Sequence, residues 1–130
     1  MTDIISISNT VFLMLGLELL FSIALPVVAI VIWKKKTDAN LSPLLMGAAA
    51  FFVFVMVIEQ IIHFLVLGLN ESVSSFILSR PWLYAIYGGF MAGFMEESAR
   101  FLVFKTMMRN HIGRENAVSY GLGHGGLECF

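Results

Sequence analysis

The sequence predicts an all-α protein, a polytopic bundle of transmembrane helices, and three observations lead to that fold class. The chain has 130 residues, of which 58% are hydrophobic and 13% are charged. Its mean hydropathy is +0.87, and a soluble domain of this size cannot hide that much apolar surface in a core. The apolar residues come in runs of roughly 20, the length that a helix needs to cross a bilayer. We therefore expect an integral membrane protein with about four spans.

Two apolar runs in the N-terminal half predict the first two spans. The first covers residues 11–33, with Pro26 as a kink and Trp33 at a membrane interface. The second covers residues 44–67. Residues 1–9 lack the basic segment of a cleaved signal peptide, so we expect the first span to be retained.

Two further spans are predicted in the C-terminal half. The third covers residues 82–108 and begins beside Pro81, a residue that suits the first turn of a helix. The fourth covers residues 116–130 and is still apolar at the end of the sequence, which is short of the roughly 20 residues that a crossing needs. We therefore expect an incomplete last span, and residues 1–130 to form a single transmembrane domain that is a fragment of a longer protein.

Basic residues set the predicted orientation. Lys and Arg cluster after the first and third spans, in loops 34–43 and 105–115, whereas the loop over residues 68–81 contains only Arg80. Because basic loops tend to stay in the cytoplasm, we place loops 34–43 and 105–115 there. The N-terminus and loop 68–81 are then outside, in what we expect to be a bacterial plasma membrane.

Charge and cysteine content exclude several classes of protein. The formal net charge is -1, so the sequence predicts no nucleic acid as a partner. The 58% of hydrophobic residues predict a lipid bilayer as the partner instead. Cys129 is the only cysteine, which excludes an internal disulfide framework and a cysteine-ligated structural zinc site.

Ionisable side chains lie within every predicted span. A charge at the centre of a bilayer costs a few kcal/mol even on the mildest scale, so these side chains should face the bundle interior or a wet cavity. They are Glu18, Glu59, His63, Glu96, Glu97, Arg100, His124 and Glu128.

The spacing of these residues places most of them in pairs. Residues four apart share one face of a helix, and three pairs have this spacing: Glu59 with His63, Glu96 with Arg100, and His124 with Glu128. Glu97 lies about 100° around the helix from Glu96. We therefore expect one of these two glutamates to pair with Arg100 and the other to face water, and both assignments stay open.

Glycines accompany both C-terminal motifs. Gly89 with Gly93, and Gly121 with Gly125, have the GxxxG spacing that lets helix backbones approach closely. We therefore expect close packing at these glycines to bring the third and fourth spans together.

Two stretches together carry a family resemblance: EESAR at 96–100 and ENAVSYGLGHGGLE at 115–128. They resemble the YhfC-type intramembrane proteases, relatives of the CAAX-processing and bacteriocin-immunity glutamic proteases of the CPBP (Abi) superfamily. The EQIIH stretch at 59–63 looks like a further polar signature of that group. The resemblance covers most of the chain but only the N-terminal half of family members. The pattern of the broader superfamily is EExxxR, in which the arginine lies one residue further from the glutamates than in EESAR. The family's later His-bearing motif has no counterpart before Phe130.

The resemblance implies an all-helical membrane protease that hydrolyses a peptide bond of a peptide or membrane-protein substrate. Glu96 or Glu97 would be the general base that activates water, and His124 would bind the same water or polarise the carbonyl. Four residues would support them: Arg100, Glu128, Glu59 and His63.

The resemblance leaves the cofactor open between none and a single zinc ion. A zinc ion would be held by His124, Glu97 and His63. The sequence contains no HExxH motif and its histidines lie on different spans, which favours a metal-free glutamate mechanism.

Two other classes of function fit the same residues. A transporter or proton relay would use carboxylates and histidines staggered from one membrane face to the other, whereas a protease would bring them to one depth. A non-catalytic scaffold or immunity protein would use the charges only to lock helices together, and charge-neutral isosteres would then spare its function.

Overall fold

The computed structural model describes residues 8–129, which are almost entirely helical and contain no β-strand. The predicted all-α class is confirmed. A short 3-10 turn covers Met108–Asn110, and the helices are α1 (Asn9–Lys36), α2 (Leu41–Gly68), α3 (Glu71–Leu78), α4 (Pro81–Thr106) and α5 (Arg114–Glu128). The predictions for residues 1–7, and for the fourth span at Phe130, lie outside the described residues.

Local chemistry fixes the ends of the long helices. The Ser8 hydroxyl accepts a hydrogen bond from the Thr10 amide at 3.2 Å and caps the start of α1. Three lysines occupy the last turn of α1, where positive charge is favoured by the helix dipole. Pro81 is the first residue of α4, as predicted, because its missing amide hydrogen costs nothing there.

α2 is not a uniform α-helix. π-helical segments cover Phe52–Glu59 and Phe64–Gly68, with an α-helical turn at Gln60–His63 between them. The apolar composition of this run gave no indication of them. π-helical turns are rare and often accompany functional sites, and here the first one ends at Glu59 and the second begins directly after His63.

The connection predicted over residues 68–81 contains α3, a short helix that the sequence analysis did not predict. The Asn70 side chain accepts a hydrogen bond from the Val73 amide at 3.1 Å, which caps the helix. Glu71 lies in the first turn, where a negative charge is favoured. Capping and packing against α4 thus stabilise this helix, which the serine-rich sequence did not predict.

The closest helix packing joins α2 and α5. A Cβ atom added at Gly47 would collide with the Tyr120 carbonyl oxygen, and one added at Gly123 would collide with the Leu44 carbonyl oxygen. The two backbones therefore touch directly, which fixes α5 on α2.

The GxxxG glycines do not make this contact, and that prediction was wrong. In the described part of the chain, nothing lies within 4 Å of a Cβ atom built at Gly89, Gly93, Gly121 or Gly125. The contact face of α5 instead carries Ser119, Tyr120 and Gly123, all of them buried. The spacing permits close approach, but the remaining side chains decide which face meets a neighbour.

Small and medium-sized side chains from α2, α4 and α5 form the core. Its buried members are Ala50, Ala99, Val103, Met108 and Tyr120. α1 lies at the side of this core, with Pro26 as its buried residue. The Trp33 indole N–H donates to the Ser119 hydroxyl at 3.1 Å and joins α1 to α5.

In the described part of the chain, α1 and α2 are long and apolar enough to cross a membrane. α4 has 26 residues but is interrupted by charged side chains. Four spans therefore stay a prediction.

Candidate active site

A cavity of about 300 Å³ lies between α4 and α5. α4 contributes Glu96 and Arg100 to its wall, and α5 contributes Tyr120, His124 and Glu128. Both predicted C-terminal motifs thus border one space, although their helices do not pack through the GxxxG glycines. Gly121 and Gly125 also line this cavity, so their lack of side chains keeps it open.

His124 is the most constrained of these residues. It is 5% exposed, and neither ring nitrogen has a hydrogen-bond partner among residues 8–129. Its ring packs edge-on against Phe51 with centroids 5.3 Å apart and stacks near Tyr120 at 5.9 Å. Buried polar atoms are nearly always hydrogen-bonded. A buried imidazole that is held by two rings and borders a cavity is therefore well placed to bind a substrate or water.

The neighbouring glutamates have different surroundings. Glu97 forms an ion pair with Arg100 and its side chain is 69% exposed. Glu96 is partly buried and lines the cavity. Of the two carboxylates that the sequence could not separate, Glu96 therefore shares the cavity with His124, and Glu97 holds Arg100.

α5 presents three functional groups to the cavity at four-residue intervals: Tyr120, His124 and Glu128. Glu128 is exposed, whereas the Tyr120 hydroxyl is buried without a hydrogen-bond partner in the described part of the chain. Sequence reasoning missed Tyr120, although its position one turn before His124 could have indicated it.

Glu59 and His63 lie apart from this cavity, in a cluster that also includes Tyr87 and that we call the α2–α4 polar cluster. His63 Nε2 lies 3.2 Å from Glu59 Oε1, and His63 Nδ1 lies 2.8 Å from the Tyr87 hydroxyl. Glu59 is 5% exposed. Tyr87 was also missed, because a tyrosine in an apolar span carries no signal of a partner on another helix.

The described residues do not assemble the predicted metal site. No group of three His, Cys, Asp or Glu side chains among residues 8–129 is arranged to hold a metal ion. His63 is bonded within the α2–α4 polar cluster, and Glu97 is paired with Arg100. The described part of the chain therefore does not fit a metal ion by itself, and no step of the chemistry below passes through one.

The helical fold and the apolar exterior are those of a membrane protein, and a cavity between two of its helices is lined by glutamates and a buried histidine. Residues 21–130 match the model of the family described as YhfC intramembrane metalloprotease. The chain belongs to this family. The predicted resemblance is confirmed at the level of this family, whereas the relation to the CPBP superfamily stays a prediction.

A curated relative supports the same assignment. The chain is 36% identical over 123 residues to the protein named Uncharacterized membrane protein YhfC of Bacillus subtilis (strain 168). The alignment covers 95% of this chain and 47% of the relative, so the chain spans about half the length of that protein. No solved structure matches the chain.

Proposed function

We propose that this chain forms part of an intramembrane protease in which Glu96 and His124 activate the water that cleaves a peptide bond. One observation carries the proposal. His124 is buried, its ring nitrogens have no hydrogen-bond partner among residues 8–129, and it borders a cavity that also contains the Glu96 carboxylate. A carboxylate and an imidazole on one cavity are the groups that water activation requires.

The chemistry can be written with side chains of this chain. Glu96 accepts a proton from water as the water oxygen bonds to the carbonyl carbon of the substrate. The protonated Glu96 then gives this proton to the amide nitrogen as the C–N bond breaks, which releases an amine and a carboxylic acid. An N–H of His124 and the hydroxyl of Tyr120 are donors that can stabilise the oxyanion formed between these two steps.

The ion pair between Glu97 and Arg100 has a supporting role in this proposal. Arg100 lines the cavity while its guanidinium is held by Glu97. Glu97 therefore acts on the site through Arg100, and Glu96 is the general base. Glu128, on the α5 wall, is a second carboxylate of the same cavity.

The arrangement favours hydrolysis over the two alternative functions. A relay needs carboxylates and histidines staggered across the membrane, whereas Glu96, His124 and Glu128 border one cavity. A scaffold needs its polar groups to be paired, and the ring nitrogens of His124 are unpaired within the described residues.

A peptide-cleavage assay with the chain reconstituted in liposomes tests the proposal. The probe is a transmembrane peptide that carries a fluorophore and a quencher on either side of its apolar segment, incorporated into the same liposomes. We expect cleavage by the unaltered chain and a fall of about 100-fold or more for Glu96→Gln, since positioned general bases contribute 10²–10⁴-fold. The matched control is Glu18→Gln, because Glu18 is exposed on α1 and does not line the cavity. Equal cleavage rates for Glu96→Gln and Glu18→Gln would refute the proposal.

A further inference from the structure

Glu96 and His124 lie on two helices whose backbones make little direct contact in the described part of the chain. The cavity lies between α4 and α5, and beside it the Phe104 ring of α4 packs edge-on against Tyr120 of α5 with centroids 4.9 Å apart. The distance between Glu96 and His124 therefore also depends on the element that touches both helices.

α2 is that element. On the α5 side, Gly47 and Gly123 bring the two backbones into direct contact, and this close packing restricts the sliding of α5 along α2. On the α4 side, the contact has two parts. Ala99 and Val103 pack near Ala50 in the core, and the α2–α4 polar cluster joins the other half of the helix.

The two parts of the α4 contact differ in kind. Small apolar side chains pack without directional preference, so they permit α4 to rotate or slide by a fraction of a turn. A hydrogen bond is directional and weakens steeply when its angle is lost. The 2.8 Å bond between His63 and the Tyr87 hydroxyl therefore restricts the rotation of α4 more than the apolar contacts do.

Glu59 gives this bond its direction. His63 Nε2 lies 3.2 Å from Glu59 Oε1, and this contact holds the imidazole in the orientation that brings Nδ1 to the Tyr87 hydroxyl. Glu59 is buried in an apolar run, where an ionisable residue is costly and usually functional. Its role at the cavity cannot be direct, because it does not line that cavity.

Helix geometry connects the cluster to Glu96. Tyr87 and Glu96 are nine residues apart on α4, which corresponds to about two and a half turns and about 13 Å of rise. Their side chains thus leave α4 on opposite faces. When the Tyr87 hydroxyl is bonded to α2, Glu96 is turned away from that contact and toward the cavity.

We propose that Glu59, His63 and Tyr87 are positioning residues: their hydrogen-bonded chain sets the rotation of α4 on α2 and thereby places Glu96 opposite His124. The consequence for hydrolysis rests on the proposed function, whereas the geometric claim does not. Tyr87→Phe is the sharpest test because it removes a single hydroxyl. Tyr84→Phe is the matched control, since Tyr84 is exposed on the same helix.

The geometric readout is the distance between α4 and α5 in reconstituted chain. Spin labels are placed at Phe94→Cys and Val118→Cys, two exposed positions, in a Cys129→Ser background. Pulsed electron paramagnetic resonance then measures the label separation. We expect Tyr87→Phe to shift or broaden the distance distribution and Tyr84→Phe to leave it unchanged. Glu59→Leu, which removes the partner of His63 Nε2, serves as a second variant if Tyr87→Phe does not fold, and it should broaden the distribution in the same way.

The activity readout is cleavage of the quenched transmembrane peptide. We expect Tyr87→Phe to lower kcat by roughly 10- to 100-fold with KM unchanged, because small misplacements of a reacting group carry penalties of this size. An unchanged distance distribution overturns the inference, whatever happens to kcat. A shifted distribution together with equal cleavage rates for the unaltered chain and Glu96→Gln keeps the positioning role and refutes the proposed function instead.

Discussion

Two buried polar residues on α5 show how similar burial can have different meanings. Ser119 is 1% exposed and its hydroxyl accepts a hydrogen bond from Trp33. His124 is 5% exposed, and its ring nitrogens have no such partner among residues 8–129. An unsatisfied buried polar group costs about 1–3 kcal/mol. Ser119 therefore stabilises the fold, whereas His124 retains a binding capacity that a stable core would not need.

The paired glutamates give a prediction at this scale. We expect Glu97→Gln to lower peptide cleavage by about 10-fold or less, and Glu96→Gln to lower it by about 100-fold or more. The reason is that Glu97 holds Arg100, whereas Glu96 borders the cavity itself. Stability should change little in Glu97→Gln, because exposed ion pairs contribute about 0–1 kcal/mol. Initial cleavage rates and thermal unfolding of the two variants in one detergent check both statements. Equal loss of rate in the two variants would contradict the assignment of Glu96 as the base.

The sequence could identify some of these residues and not others. Glu96, His124 and Glu128 stood out because ionisable groups in an apolar run are costly. The partner of Arg100 could not be chosen, because side-chain direction depends on the packing of α4 against its neighbours. Tyr87 and Tyr120 were missed because an aromatic residue in an apolar helix is usually packing.

At the scale of elements, the glycines are the best guide to how the helices pack. Gly47 belongs to no spacing motif, yet its missing side chain admits the α5 backbone. The two GxxxG pairs instead border open space within the described part of the chain. A spacing pattern states where close approach is possible, and the partner surface decides where it happens.

This difference predicts opposite effects of one substitution at two glycines. We expect Gly123→Ala to destabilise the chain by about 1–3 kcal/mol, the usual cost of overpacking, because its Cβ would meet the Leu44 carbonyl. Gly125→Ala should be neutral or stabilising by up to about 1 kcal/mol, since alanine favours helix and meets nothing within 4 Å in the residues described. Unfolding in mixed micelles with increasing denaturing detergent, followed by circular dichroism, measures both. Similar stability of the two variants would argue against direct backbone contact between α2 and α5.

The limits of the long helices followed from the sequence more closely than their internal structure did. The prediction for α4 was residues 82–108 and the helix is Pro81–Thr106, because proline marks a helix start chemically. The π-helical turns of α2 and the short helix α3 depend on tertiary contacts and capping. Hydropathy does not report those.

For the whole molecule, composition is the most informative property. Apolar side chains cover the outside of α1 and α2, as expected of helices that contact lipid. The sequence therefore defines an all-α membrane protein. The chain spans 47% of its curated relative.

The predicted orientation can be tested by cysteine labelling. Single cysteines replace Asp38, Ser72 and Asn110, three exposed residues in connecting segments, in a Cys129→Ser background. A maleimide that cannot cross membranes is added to intact cells. We expect labelling at position 72, and labelling at positions 38 and 110 only after the membrane is opened, because the basic loops stay in the cytoplasm. Positions 38 and 72 lie on either side of α2 along the chain. Labelling of both from the same side of the membrane would contradict a crossing by α2.

The side-by-side contact of α1 and α5 also has a consequence for the order of synthesis. Trp33 and its partner Ser119 are 86 residues apart. At about 5–20 residues per second, the ribosome makes Ser119 roughly 4 to 17 s after Trp33. During that interval α1 is in lipid without the helix that later receives its indole. Its most apolar 18-residue window has a mean hydropathy of 2.5, so α1 can remain in the bilayer before α5 is made.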